Sequence, residues 1–209
     1  MLHRRPPTVT LLSVPSPTER RRDAVLAGHA GDEPAARRAL ADPDPGTRAV
    51  ALGALARLGC LGDDDLRAAL ADPSPAVRSR AVELAVPAPA VELLPLLADP
   101  DPFVAEQAAW ALGERAPAPA AVAALSGAAG GHDDPLVREA AVAALGALGH
   151  PDGLPAVLAA TTDKPAVRRR AVLALAAFVD EGPEVEAALR RALGDRDRQV
   201  RQAAEDLLA

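Results

Sequence analysis

The sequence predicts an all-α fold, a right-handed α-solenoid of about six to seven helical hairpins, on three observations. One turn-and-helix pattern recurs along most of the chain. Apolar residues after each turn follow a helical period. The apolar residues themselves are small: Ala, Leu and Val dominate, with two Phe, one Trp and no Tyr. A single core of ordinary type uses more aromatics, whereas small side chains suit helices stacked closely in layers.

The recurring turn is clearest in Leu97–Arg115, LADPDPFVAEQAAWALGER. Aligned on the residue that closes the turn, the copies end at Arg48, Arg78, Ala105, Arg138, Arg168 and Arg201, with a weaker copy at Arg20. The mean spacing is about 31 residues, the length of a helix–turn–helix unit. Pro45, Pro75, Pro102, Pro135 and Pro165 stand at or near the first helical position, where the fixed φ is suitable and the missing N–H costs nothing. Asp or Ser just before the proline caps free backbone N–H groups.

Beyond each turn an apolar stripe repeats at 3.6 residues, as in Val77-Ala81-Val82-Ala85, Val137-Ala141-Val142-Leu145 and Val167-Ala171-Val172-Leu175. Alanine holds the central stripe position in the six clear copies: Ala51, Ala81, Ala108, Ala141, Ala171 and Ala204. These second helices stop at Gly59, Pro87, Pro117, Gly149 and Gly182. Shorter first helices are predicted at Asp63–Ala71, Ala90–Ala98 (bent by Pro95), Ala118–Ser126, Gly153–Ala160 and Pro183–Leu193. Residues 1–16, with three prolines and a fourth just beyond at Pro17, read as an N-terminal tail, and the solenoid as 17–209.

Composition narrows the function classes. One cysteine, Cys60, cannot build a disulfide framework or a multi-cysteine zinc site and agrees with a reducing, cytoplasmic setting. No run has the 18 or so apolar residues of a membrane span. The net charge of −6 divides into +3 over 1–60, −9 over 61–162 and 0 over 163–209. The acidic middle opposes nucleic-acid binding. There is no glycine-rich phosphate loop and no nucleophile elbow. His132-Asp133-Asp134 reads as a capped turn. Neither a cofactor nor a metal is expected.

Here the residues resemble a known family. Asp72…Val77-Arg78 and Asp195…Val200-Arg201 match the Asp-x-x-x-x-Val-Arg signature of HEAT repeats of the short kind named after phycobilisome bilin lyases, over roughly residues 17–209. The resemblance implies an armadillo-like superhelix whose second helices line a concave binding face. It also implies a hydrogen-bonded ladder between repeats, using Asp42, Asp72, Asp99 and Asp195 with Arg48, Arg78, Arg138, Arg168 and Arg201. Ala105, His132 and Thr162 depart from the signature and interrupt that ladder. The iron-binding HEAT enzymes that hydroxylate deoxyhypusine use His-Glu pairs, and this chain has none.

Positions that packing does not dictate mark the candidate site. Residues one and five after the turn lie on one helical face. There Glu83, Glu106, Trp110 and Glu139 are expected to form an acidic patch around an indole, with Arg80 and Gln107 within it and Arg169 and Arg170 at its border. Such a face suits a protein partner with a basic segment, held in part by cation–π contact. The expected function is therefore a protein-interaction scaffold. The alternative, by resemblance to the bilin lyases, is a lyase, isomerase or chaperone acting on a small molecule in the groove, with Glu106 or Glu139 as acid or base. The apolar ending Leu207-Leu208-Ala209 points to end-to-end dimerisation.

Overall fold

The computed structural model describes residues 15–208, which are helical with short connections and contain no strand. The predicted tail lies outside these residues except for Pro15 and Ser16. Ser16 is not tail: its Oγ accepts from the Glu19 N–H and the Glu19 carboxylate accepts from its N–H at 2.7 Å, a reciprocal cap on the first helix. The chain divides at Gly59–Cys60 into two compact units.

The first unit holds α1 (Pro17–Ala30), α2 (Glu33–Ala39) and α3 (Pro45–Leu58). α1 and α3 pack so closely that a β-carbon on Gly28 would meet Ala54 at 2.8 Å. The second unit holds α4 (Asp63–Leu70), α5 (Pro75–Ala85), α6 (Pro102–Gly113), α7 (Pro119–Gly131) and α8 (Pro135–Leu148). It continues with α9 (Leu154–Ala160), α10 (Pro165–Ala174), α11 (Pro183–Ala192) and α12 (Arg198–Leu208). Within it α5, α6, α8, α10 and α12 stack successively, and α4, α7, α9 and α11 form a second layer.

The sequence explains these boundaries. Proline occupies the first turn of α3, α5, α6, α8 and α10. Asp44, Asp101 and Asp134 cap their helices by accepting from N–H groups two or three residues on. The apolar stripes form the core, and all six central alanines have no exposed surface. α12 buries Val200, Ala203 and Ala204 and turns Arg198, Gln202, Glu205 and Asp206 outward.

One predicted helix does not form. Residues 90–98 contain only a 3₁₀ turn, Leu94–Ala98. Pro95 lacks the N–H that a helix would give to the Val91 carbonyl, and its ring crowds that carbonyl, so the helix does not run through 90–98. Arg115, just after α6, takes over the bonding. Its guanidinium donates to the carbonyls of Val91 (2.9 Å), Ala85 (2.6 Å) and Ala88 (3.0 Å). α7, by contrast, outruns its predicted end at Ser126 and continues to Gly131 through Gly127 and Gly130.

Candidate binding groove

The charged residues of the turns make repeated contacts. Arg78 forks onto Asp99 at 2.8 and 2.7 Å, Arg138 onto Asp163 at 2.7 and 2.9 Å, and Arg168 onto Asp195 at 2.8 Å twice. Arg20 reaches Asp42 at 2.8 Å. Each pair joins the turn of one repeat to the turn of the next. The same arginines also tie down their own turns, as do Arg48 and Arg201, with Nη1 donating to the carbonyls of Asp42, Asp72, His132, Asp163 and Asp195. Two features depart from the expected ladder. The acceptor for Arg138 is Asp163, one residue past Thr162, whose hydroxyl donates instead to Ala159. Arg201, in the last repeat, bonds to the carbonyls of Asp195 and Arg196.

The aspartates have a second task. Oδ1 of Asp42, Asp72, Asp99 and Asp195 accepts the N–H two residues on, folding the turn. His132 Nδ1 does this at 3.1 Å in place of an aspartate. The Arg138 hydrogen bonds hold the Asp163 carboxyl below the usual range, against its burial, and Arg168 does the same for Asp195. Burial acts most strongly on Asp99 and pushes it upward, but Arg78 and the Asp101 N–H together outweigh it.

Between α6 and α8 this ladder has a gap. Ala105 stands where the arginine would be and His132 where its aspartate would be, so both partners are replaced at one joint. The same joint carries a groove of about 350 Å³. Its α6 wall is Glu106, Trp110 and Glu114; its floor is Ala140, Ala143 and Ala147 of α8; Glu139 and Arg170 close the other side. The floor is deep because the backbones are close: a β-carbon on Gly113 would meet Ala144 Cα at 2.8 Å. Trp110 remains 43% exposed, so its indole is a wall and not core.

Of the residues expected to form one patch, Glu106, Trp110, Glu139 and Arg170 converge here. Gln107 borders them, its amide donating to Glu106 at 3.1 Å. Arg169 lies 4.0 Å from Glu139 and donates to Gln199. Arg80 and Glu83 do not line the groove; they pair with each other on α5 at 2.6 Å. Glu114 was not expected from the sequence, where only the residues one, two and five after the turn-closing position were compared. The signal was present: Glu106, Trp110 and Glu114 stand at i, i+4 and i+8, one line along α6 spanning about 12 Å.

The charges sort by wall. Glu139 is answered by Arg170 at 3.5 Å as well as by Arg169. Among the described residues no arginine pairs with Glu106 or Glu114, which leaves the α6 wall negative on both sides of the indole. Elsewhere among the described residues no three His, Cys, Asp or Glu side chains converge to hold a metal ion, and no helix is long and apolar enough to cross a membrane.

Comparison with known proteins places this arrangement. Residues 90–176 match the family of HEAT repeats. No curated protein matches the chain by sequence. Among solved structures the chain is similar to human deoxyhypusine hydroxylase in complex with glycerol, at 23% identity over 92% of this chain and 79% of that one, with a TM-score of 0.48. An engineered protein follows at 22% identity, covering 95% and 92%, with a TM-score of 0.41. A designed armadillo repeat protein shows 17% identity, covering 94% and 95%, with a TM-score of 0.45. The helical hairpins and their period make the chain an α-solenoid, and the groove lies inside residues 90–176, the part that matches HEAT repeats.

Proposed function

We propose that the chain is a protein-interaction scaffold that holds a partner by a cationic side chain in the α6–α8 groove. One observation carries this reading: two carboxylates without arginine partners flank a half-exposed indole along one line of α6, facing an alanine floor. An indole face attracts a cation by its quadrupole, and flanking carboxylates add direct attraction. The alanines leave room for the aliphatic stem of a lysine or arginine, whose methylenes bury while the head stays polar.

Trp110 is the only tryptophan, so the groove contains its own fluorophore. Titration with an acetylated, amidated peptide carrying two adjacent lysines is expected to change its emission saturably. The same peptide with glutamines in those positions is expected to leave it unchanged. Glu106→Gln combined with Glu114→Gln should weaken lysine-peptide binding about tenfold, and added salt should weaken binding to the parent chain. Equal responses to the lysine and glutamine peptides would overturn the reading.

A further inference from the structure

The groove does not end at α8. A second hollow of about 430 Å³ lies between α8 and α10, lined by Ala143, Gly146, Ala147, Leu173, Ala176 and Ala177, among others. It shares Ala143, Ala147 and Arg170 with the first hollow. The two hollows therefore share the alanine floor of α8, with no bulky side chain of that helix between them, so one ligand can lie across both. The chemistry of the hollows differs. The first has the indole and unpaired carboxylates of α6; the second is apolar apart from Arg170, and Leu173 stands 43% exposed in its wall.

We infer that these hollows together read a two-residue code on an extended segment of the partner: a lysine or arginine at α6–α8, and an aliphatic side chain at α8–α10. The inference rests on the proposed binding of a cation in the first hollow and adds the second contact and its spacing. Neighbouring helices in a layer lie about 8–10 Å apart, and so do the hollows between them. An extended chain rises about 3.3 Å per residue, so the aliphatic residue falls two or three positions from the cation. A helical segment would need about five to seven residues at 1.5 Å each to cover the same distance.

The test is a peptide series with one lysine and one leucine, serine elsewhere, and the leucine placed two to eight positions from the lysine. Binding to the full chain is read from Trp110 emission. Affinity is expected to peak with leucine two or three positions away, about tenfold above the leucine-free peptide. Leu173→Ser should flatten the peak while lysine dependence remains. Ala147→Leu, at an exposed position, should put a bulky side chain between the hollows and flatten the peak too, which guards against a folding defect in one variant. A peak at five to seven positions, or no dependence on leucine position, would overturn the inference and leave the cation reading standing. If no lysine peptide binds, both fall.

Discussion

The α6–α8 and α8–α10 joints are built alike in the core and differently at the turn. In both, a glycine of the earlier helix lies against an alanine of the later one: Gly113 on Ala144, Gly146 on Ala174, with a β-carbon on either glycine meeting its neighbour under 3.0 Å. At the turn, α8–α10 has the Arg138–Asp163 fork and α6–α8 has Ala105 and His132. Packing alone can therefore set the approach of two helices here. The fork is an additional fastening, and it is absent where the side chains of α6 form an open acidic wall.

Four substitutions test this contrast, the last as a control away from both joints. The largest effect is expected for Arg138→Ala, which removes the fork and the bonds to the His132 and Asp133 carbonyls. About 3 kcal/mol should be lost in urea unfolding at neutral pH, because a partly buried carboxylate is left without its partner. The pH dependence has a definite sign. Asp163 titrates lower in the folded chain, so its contribution is complete above the unfolded value of about 4 and disappears as pH falls through the folded one. The gap between parent and variant should narrow over that acid range. A gap that is constant with pH would mean that the pair does not act through its charge.

Next come the seam glycines. Gly146→Ala should cost about 2 kcal/mol by overpacking against Ala174. Gly113→Ala makes the same intrusion at the joint without a fork, where the helices shift more freely, and should cost about 1 kcal/mol. Equal unfolding midpoints for the two variants would show that the fork does not stiffen its joint. The smallest effect concerns α7. Gly127 sits in the helix with nothing within 4 Å of its β-position. Gly127→Ala should stabilise by about 0.5–1 kcal/mol without altering either joint. Chemical denaturation would measure the gain, and a loss would show that the position is strained.

Much of this arrangement was legible in the sequence because the repeat tests each position several times. Val77, Val137 and Val167 read as core, and Pro45, Pro102 and Pro165 as helix starts, since each reading had sister copies. What was not legible depended on single residues. Asp163 lies one step out of register with Asp99 and Asp195, and a rigid alignment passes over it. The expected helix at 90–98 met Pro95, whose effect is a break to a 3₁₀ turn and not the bend assigned to it. Of the groove, Glu106, Trp110, Glu139 and Arg170 followed from helical spacing. Glu114 lay one turn beyond the positions compared, and Arg80 and Glu83 were claimed by each other.

Arg115 has a consequence for how the chain comes to order. A helix satisfies its carbonyls within four residues as soon as it is made. The carbonyls of Ala85, Ala88 and Val91 are met by a side chain 24–30 residues later in the chain. Ala85 and Ala88 also accept from the N–H groups of Ala88 and Val91, but the Val91 carbonyl, four residues before Pro95, waits for Arg115. The local contacts of this stretch are thus completed by a distant one, a kind of contact that forms later than those within a repeat. The side chain that completes them stands next to Glu114 at the edge of the groove.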